Sequence, residues 1–546
     1  MTPRPAVRFQ LWLRHSAARA EALTDLKLWG LAVLTGVVTG YGVLGFTIAI
    51  EAITQLSYGA PSVSLAEGAR GLFPPRVFLV PVIGGALVGV LLYLTRRAGF
   101  LADIRCQGVA EVIEARARPP GAISLRGGLI NTAVCATALG TGSSAGREGP
   151  AVLLGGAISV FLAKSFDLSA KDSRTLLGCA AAAAVSAAFN APIAGVLFAL
   201  EVVLSNYALS IFSPIALSSI IATLITRAHL GDLHRFVIPE YGGAASIDLV
   251  LGGASGLFAG IVAIAFLSTA AWGRMMARLT VSRGHVPPAM MPVIAGIGMG
   301  AVGIVLPELL GYGYQATSAA LAGSYGLGLL GLLLAGKIVT TVLCLSCRFG
   351  TGVFSGGIYL GAMAGAAFGI VMQGVFGPDI SSPTFFAIVG MGAVSGAIIG
   401  APISTTLIIF ELTGDYTMTA ALMIAVGIAT VMTQIFFGTS WFHYQLNQRG
   451  YDLSEGPQGV ILQTIRVRDV MRPVPETAAP LEDGAARLYV NQTLGEALAE
   501  MGRLNLDAMP VTAGRGETRL LGTVTQIRAL RAYNKALVDS HIEHHR

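Results

Sequence analysis

The segment with the clearest chemical signature is a glycine-rich break that runs from Gly140 to Pro150. It contains one charged pair, Arg147 and Glu148, and leads directly into an apolar stretch. A glycine-rich turn entering a helix exposes backbone N–H groups, and the helix dipole adds partial positive charge, so the segment predicts an anion site. A carboxylate there can fill the site as a tethered anion, and its protonation would free the site. The alternative is an ordinary capping glutamate with Arg147 as a surface ion-pair partner.

A second glycine-rich break, Gly350–Gly357, occurs in the other half of the chain. It offers backbone N–H groups at Val353 and Phe354 but no side-chain charge. Two helix N-termini that face one point would bind a dehydrated anion without a fixed cation; the alternative is a flexible glycine kink. Lys337 lies in an apolar stretch and is either a positive charge for the same pathway or a side chain that snorkels to an interface.

The composition limits the class of protein that carries these breaks. Of 546 residues, 54% are hydrophobic and only 12% are charged, and the mean hydropathy is +0.69. Soluble proteins have roughly 25% charged residues, so a soluble enzyme and a disordered chain are both excluded. The 69 glycines fit closely packed or broken membrane helices. We therefore predict a polytopic membrane protein of the cell membrane.

Charge and cysteine content refine this prediction. The net charge of +6 is explained by the positive-inside rule, so no nucleic-acid partner is predicted. Basic residues before the first apolar span predict that segment 1–27 is cytoplasmic: Arg4, Arg8, Arg14, Arg19 and Lys27. The five cysteines are predicted to be packed free thiols. The sequence shows no catalytic triad, metal cluster or P-loop, so we predict no enzyme activity, no metal and no cofactor.

Residues 28–440 form a nearly continuous apolar region. A full span needs about 20 residues, and several candidates are shorter or contain Gly or Pro. Broken backbone survives at membrane depth only when it lines a cavity or is buried in protein, so tilted and broken helices around a polar pathway are predicted. The candidate spans are 28–50, 77–95, 129–141, 151–164, 178–200, 208–228, 248–272, 288–306, 327–346, 357–376, 384–400, 403–412 and 419–438.

An internal repeat supports this architecture. The element Ala-Pro-Ile followed by seven residues and a glutamate occurs at 191–201 and again at 401–411. Each copy follows an Ala-Val-Ser triplet and, some 40 to 50 residues earlier, a glycine-rich break. Paired interrupted segments are typical of transporters built from repeats, with the site at the repeat interface. We place the two repeats at about 28–228 and 248–440.

After residue 440 the sequence is no longer a continuous apolar region and becomes rich in charged residues. Residues 441–465 are predicted to be a linker, and residues 466–546 a small charged α+β domain with a β-α-β-β-α order. The expected strands are 487–490, 508–512 and 520–525, with a turn at 514–516 between the last two. Thr493 is expected to cap a helix whose apolar positions, from Leu494 to Met501, follow helical spacing.

At this point the sequence resembles the CLC family of chloride channels and proton-coupled chloride exchangers. The resemblance covers about residues 30–450 and rests on four motifs: GREGP at 146–150, FNAPIAGVLFALE at 189–201, GVF at 352–354 and ELTGDY at 411–416. It implies a fold of two inverted repeats with tilted and broken helices. It also implies a homodimer in membrane lipid with one anion pathway in each subunit.

The resemblance assigns roles to individual residues. Glu148 matches the family's gating glutamate. Anion-binding positions match Gly146, Arg147, Gly149, Val353 and Phe354. Two further positions depart from the family's pattern. Gln107 stands where a serine hydroxyl usually contacts the anion, and its amide N–H₂ can still donate a hydrogen bond. Phe442 stands where a tyrosine usually coordinates it, so that hydroxyl is lost. Gly356 also replaces the proline that usually ends the second break's motif.

A further departure concerns the mechanism. Exchangers of the family typically carry a second acid directly after the glutamate at 201, and here that position is Val202. Valine cannot carry a proton, so we favour a passive chloride channel gated by Glu148. The alternative, a proton-coupled exchanger, stays open because water or another acid could relay protons. Glu201 is a candidate relay, although a buried structural acid is favoured.

The tail resembles a CBS domain through RVRDVM at 466–471, TLGEALAEM at 493–501, MPV at 509–511 and LLGTVTQIRAL at 520–530. Such domains normally occur in pairs. A single copy in each chain could form such a pair with the copy of the other subunit in a homodimer. Arg528 occupies the position of the aspartate that contacts ribose, so a dimer-stabilising role is favoured and adenine-nucleotide binding is left open. A third hypothesis is a membrane sensor whose tail reports a cytoplasmic ligand.

Overall fold

The computed structural model describes residues 5–100, 105–117, 123–231, 246–377, 380–450, 462, 465–475, 481, 485–514 and 517–545. The chain divides into two compact units, Met1–Trp441 and Phe442–Arg546. Regular secondary structure in the described part of the first unit is helical, and the second unit adds a small sheet. This confirms the predicted fold class, a helical membrane protein with a small α+β C-terminal part.

The first half of the first unit contains nine α-helices in its described residues and a π-helical turn, Ala199–Leu204. The α-helices are α1 (Pro5–Tyr58), α2 (Leu65–Arg70), α3 (Pro74–Arg97), α4 (Val109–Ala117), α5 (Leu125–Gly140), α6 (Glu148–Ser165), α7 (Ala170–Phe189), α8 (Pro192–Phe198) and α9 (Leu209–Leu230). The structure differs from the sequence prediction in several places, and the short helices α2 and α4 correspond to no predicted span. Helix α1 begins inside the segment 1–27, and the single span expected at 178–200 is two helices.

The second half contains the helices α10 (Ser246–Ser282), α11 (Met291–Val305), α12 (Tyr314–Leu321), α13 (Leu327–Ser346), α14 (Phe354–Phe376), α15 (Pro383–Ile399), α16 (Pro402–Thr413), α17 (Tyr416–Phe436) and α18 (Trp441–Asn447). Helix α18 occupies the start of the range that we expected to be a linker.

The two halves break their helices in the same way. Helix α7 ends at Asn190 and helix α15 ends at Gly400, and both residues adopt the left-handed conformation, with φ of 60° and 72°. Each is followed by alanine and then by a proline that begins the next helix, Pro192 or Pro402. Proline suits the first helical position because its missing N–H would have no partner there.

Eight helical segments among the described residues are long and apolar enough to cross a membrane. They are Leu26–Tyr58, Pro74–Arg97, Leu209–Leu230, Ile247–Ser282, Pro288–Val305, Leu327–Ser346, Phe354–Phe376 and Tyr416–Asn447. Shorter apolar helical segments occur at Pro192–Leu204, Pro383–Ile399 and Pro402–Thr413. The mixture of full and partial spans agrees with the prediction of a multi-pass protein with interrupted helices.

Glycine allows the backbones of α14 and α15 to approach closely. A Cβ atom added to Gly365 would lie 2.8 Å from the Cα of Ala387 and would also overlap the carbonyl of Phe386. Gly361 and Gly390 meet the opposite backbone in the same manner. Small residues at such a crossing let van der Waals contacts form along the helix axis, which stabilises helix association inside a bilayer.

The second unit contains a four-stranded sheet in the order β1 (Arg472–Pro473), β4 (Gly522–Thr525), β3 (Ala508–Thr512) and β2 (Leu488–Tyr489). Strand β3 pairs parallel with β2 and antiparallel with β4. Helix α18 extends from Trp441 into this unit, and the further helices among its described residues are α19 (Val467–Val470), α20 (Leu494–Leu504) and α21 (Gln526–His545). The predicted β-α-β-β-α order is present, preceded by α19 and β1. Arg515 and Gly516 of the expected turn lie outside the described residues.

The capping of α20 follows the sequence prediction. The Thr493 hydroxyl accepts a hydrogen bond from the Glu496 N–H at 3.1 Å, and the Glu496 carboxylate accepts one from the Thr493 N–H at 2.9 Å. The apolar face of α20 packs into a buried core with Met509, Val511 and Val524 of the sheet. This unit therefore has a hydrophobic core of its own. Its assignment as a CBS domain stays a prediction.

We predict that Gly365→Ala lowers the melting temperature and the folded yield of the detergent-purified protein. The added methyl group would meet backbone atoms of α15, which cannot move aside as a flexible side chain could. The matched control is Gly374→Ala on the same helix, where the added Cβ meets nothing within 4 Å. Equal melting temperatures for the two variants would contradict the close packing of α14 on α15.

Candidate functional site

Glu148 is the first residue of α6 and is buried, with 4% of its surface exposed. Its Oε1 atom accepts a hydrogen bond from the Ser355 hydroxyl at the start of α14. Its Oε2 atom is buried and has no hydrogen-bond partner among the described residues. A capping carboxylate normally has both oxygens satisfied by backbone or solvent, so this one is placed unlike an ordinary surface cap.

The two glycine-rich breaks pair with each other through their backbones. The Gly146 N–H donates to the Gly352 carbonyl at 2.8 Å, and the two residues form an isolated antiparallel bridge. A Cβ atom at Gly352 would overlap the backbone of Gly146, so only glycine allows this approach. The pairing brings the N-termini of α6 and α14 together, with Val353 and Phe354 at the second of them.

Converging helix N-termini give this region its electrostatic character. The first N–H groups of a helix have no partner within that helix, and the helix dipole places partial positive charge on them. The N–H groups of Glu148 and Gly149 in α6, and those of Phe354 and Ser355 in α14, occupy these first positions. A small anion could accept hydrogen bonds from them without a neighbouring cationic side chain.

The Arg147 side chain is buried, in contrast to the surface ion-pair partner that the sequence left as an alternative. Its Nη2 atom donates to the Ala188 carbonyl near the end of α7 at 2.6 Å. The guanidinium also lies 5.8 Å from the ring centroids of Tyr312 and of Tyr314. These contacts fix the backbone that precedes Glu148. They leave the Arg147 backbone as the part suited to an anion contact.

The segment of Gln107 lies against both breaks. A Cβ atom added to Gly108 would lie 3.1 Å from Thr351 Oγ1 and 3.5 Å from the Cα of Gly149. Asn131 holds the Gln107 backbone, because its Oδ1 accepts from the Gln107 N–H at 2.8 Å and its Nδ2 donates to the carbonyl at 3.1 Å. The structure thus brings the 107–108 segment to the paired breaks. Sequence reasoning missed Asn131, and nothing in its apolar surroundings marks it.

Ser355 is the other residue that sequence reasoning missed. It follows the Val353-Phe354 pair directly and is 3% exposed. Its position inside the second break, directly after Val353 and Phe354, was the available signal, since its hydroxyl can donate a hydrogen bond beside their N–H groups.

The two glutamates of the internal repeat cap each other's helices. The Glu201 carboxylate accepts from the N–H groups of Ile403 and Ser404 at 3.1 and 2.8 Å. The Glu411 carboxylate accepts from the N–H groups of Ile193 and Ala194 at 3.0 and 2.8 Å. These donors follow the prolines that begin α16 and α8, where N–H groups lack helical partners. The reciprocal contact is the arrangement expected of two repeats related by a twofold axis.

This contact bears on the two candidate proton-pathway positions. Ser404 also donates its hydroxyl to Glu201 at 2.5 Å, so both carboxylate oxygens of Glu201 are engaged. The structural role that we favoured for Glu201 is therefore supported. Val202 is buried in the π-helical turn that follows α8. A buried valine offers no proton-accepting group at that position.

Lys337 is buried in α13 with 1% of its surface exposed, so it does not snorkel to an interface. Its Nζ atom donates to the Gly311 carbonyl at 2.9 Å and lies 4.8 Å from the Tyr359 ring centroid. The Gly311 N–H in turn donates to Gly142 of the first break at 3.3 Å. Lys337 therefore supports the loop beside the first break. A contribution to an anion pathway stays a prediction.

Phe442 lies on α18 and belongs to the second compact unit. Its role at the anion pathway stays a prediction.

The sequence profile of the family described as voltage gated chloride channel matches residues 84–434. The chain is 31% identical over 429 residues to chloride channel protein CLC-e of Arabidopsis thaliana, an alignment that covers 74% of this chain and 59% of the plant protein. It is 30% identical over 434 residues to the H(+)/Cl(-) exchange transporter ClcA of Vibrio vulnificus, which covers 76% of this chain and 88% of that protein.

A solved structure of a slow cyanobacterial Cl-/H+ antiporter has the same fold. The TM-score is 0.67 at 22% sequence identity, and the match covers 77% of this chain and 97% of the antiporter. The chain spans less than two thirds of the length of the plant relative.

We predict that Glu201→Gln and Glu411→Gln each destabilise the protein by about 1–2 kcal/mol, since each replaces an acceptor oxygen with an amide that opposes backbone donors. Thermal unfolding in detergent measures the effect. The matched control is Asp167→Asn, an exposed acid at the end of α6. Melting temperatures that stay equal to that of the control would contradict the reciprocal caps.

Proposed function

The chain belongs to the CLC family of voltage-gated chloride channels, and on that premise we propose that it exchanges chloride for protons across a membrane, with Glu148 as the gate. Family members are transporters or channels, which confirms the prediction that the chain is not an enzyme. The observation that carries the proposal is the buried Glu148 carboxylate at two converging helix N-termini, with one oxygen left unpartnered.

The comparisons favour exchange over the passive channel that the sequence suggested. The ClcA relative, of which this chain covers 88%, is named as an exchange transporter. The passive channel is kept as the second candidate because a specific observation favours it. Val202 is buried where exchangers of the family carry an acid, and Glu201 is occupied as a helix cap.

The gate would work through charge. The ionised Glu148 carboxylate fills the place of an anion at the start of α6, where the dipole and free N–H groups stabilise negative charge. A proton on the unpartnered Oε2 atom removes that charge, so the side chain can leave and chloride can take its place. The same event binds a proton from the medium, which is how one carboxyl group would serve both ions.

Proton supply from the inner side needs a different carrier from that of typical exchangers. Valine cannot hold a proton, and both oxygens of Glu201 accept hydrogen bonds from α16. Exchange would therefore depend on water that enters the pathway past Val202. This requirement predicts slow proton coupling compared with an exchanger that carries an acid at that position.

Selectivity would follow from dehydration against N–H groups. Backbone donors at Arg147 and Gly149 and at Val353 and Phe354 replace part of the water shell of chloride or another small anion. The Gly146 N–H, which the resemblance also assigned to the anion, is instead bonded to the Gly352 carbonyl, so Gly146 contributes the close approach of the two breaks and no anion donor. Gln107 offers an amide donor instead of a hydroxyl, and Phe442 offers none. The choice of anion would therefore depend mainly on backbone donors. In relatives that have hydroxyls at both of these positions, side-chain donors would contribute more.

We further propose that the protein acts as a homodimer in the cell membrane with both termini cytoplasmic. The basic residues of segment 1–27 support this orientation. The C-terminal unit would then stabilise the dimer by pairing of the single CBS-like domains, with or without an adenine nucleotide. The sensor hypothesis remains the alternative in which the membrane unit carries no ion.

Reconstituted liposomes separate these three possibilities. A chloride gradient is imposed without a proton gradient, and chloride and internal pH are recorded together. We expect chloride flux to drive protons uphill. Chloride flux without proton movement would replace exchange with the passive channel, and the absence of any anion flux would favour the sensor.

We predict that Glu148→Gln, which mimics the protonated carboxyl, abolishes uphill proton movement and raises anion flux to the level that the unaltered protein reaches at low pH. Flux in the unaltered protein should rise as pH falls, because protonation empties the site, whereas flux in the variant should be flat. The control is Glu67→Gln, an exposed acid of α2. An unchanged pH profile in Glu148→Gln would contradict the gate.

A further inference from the structure

The Ser355 hydroxyl is placed where it can serve the anion as well as the gate. It lies in the first turn of α14, is buried, and donates to Glu148 Oε1. The helix start on which it lies is held against the first break by the Gly146–Gly352 bridge. The hydroxyl therefore points at the place that the carboxylate occupies when the gate is closed.

Two hydroxyl donors that the family usually has at its anion site are replaced in this chain. The sequence has Gln107 and Phe442 at the two positions where a hydroxyl was expected. Ser355 supplies one at the second break, directly after the backbone donors of Val353 and Phe354. A hydroxyl group adds a donor that can rotate toward its acceptor, which a backbone N–H group cannot do.

We propose that Ser355 is a shared donor. Its hydroxyl bonds the Glu148 carboxylate while the gate is closed, and it bonds chloride when the carboxylate leaves. In this role it is a specificity-determining residue of the anion site. The proposal rests on the proposed function, because it assumes that chloride takes the place that Glu148 vacates.

The physical basis is the single proton of the hydroxyl. One O–H group can donate to one strong acceptor at a time, so the carboxylate and chloride exclude each other at Ser355. When Glu148 leaves, a buried hydroxyl without an acceptor is costly, and a bound anion removes that cost. Hydrogen bonds to charged acceptors are also stronger than those between neutral groups, which favours this exchange of partners.

A role limited to positioning Glu148 makes a different prediction. If Ser355 only holds the carboxylate, it has no function once the carboxylate is absent. If it binds the anion, its effect on chloride affinity persists without Glu148. The Glu148→Ala background separates the two roles because alanine leaves no acceptor for the hydroxyl and leaves the site open.

The experiment is calorimetric titration of chloride into detergent-purified Glu148→Ala protein, with and without Ser355→Ala. We expect Ser355→Ala to weaken chloride binding about tenfold, the loss of one charge-assisted hydrogen bond. Iodide binding should weaken less, since iodide is held less strongly by hydrogen-bond donors. The matched control is Ser159→Ala in α6, a buried serine that donates to the carbonyl of Gly156 in its own helix.

Ser355→Thr keeps the hydroxyl and should retain most of the chloride affinity. It serves as the second variant at this position, so that the test does not depend on the alanine variant alone. Equal chloride affinity in Glu148→Ala and in Glu148→Ala/Ser355→Ala would overturn the proposal of a shared donor. It would leave the proposed function, chloride transport, intact. Weakening by threonine as large as that by alanine would also overturn it. A Glu148→Ala protein that neither binds nor transports chloride would overturn the proposed function together with this inference.

Discussion

The close approach of Gly146 and Gly352 is the contact on which the site depends. It joins two breaks that lie about two hundred residues apart, and it tolerates no side chain at Gly352. Because each glycine precedes a helix start, the pairing directs two positive helix ends to one region. Lys337, Arg147 and Asn131 then fix the surrounding loops through backbone carbonyls and amides. The site is therefore built mainly from backbone groups held by side chains.

The reciprocal caps hold the two repeats together and engage the acid that precedes Val202. Glu201 and Glu411 satisfy N–H groups that the prolines of α16 and α8 leave at the helix starts. Both carboxylate oxygens of Glu201 are taken up by donors of α16. Under the proposed exchange, protons would therefore pass Val202 by way of water.

Much of the helical architecture could be predicted from apolar runs with Gly or Pro at their ends. The span expected at 327–346 has the bounds of α13, and that at 384–400 differs from α15 by one residue at each end. The break at Asn190 was missed because apolar residues continue on both sides of it, although Pro192 was a local signal of a new helix start. The short helices α2, α4 and α12 were missed because they are not long apolar stretches.

The sequence by itself determined many helix boundaries in the membrane unit, including those of α13 and α15, since glycine and proline act on the local backbone whatever surrounds them. It also placed three glutamates, Glu148, Glu201 and Glu411, beside such breaks. The motif match singled out Glu148 as the candidate gate, and only the tertiary structure showed how its hydrogen bonding differs from that of the other two. Glu201 and Glu411 have both oxygens bonded across the repeats, whereas Glu148 keeps one oxygen without a partner among the described residues. That difference depends on groups two hundred residues away, which no local pattern can reveal.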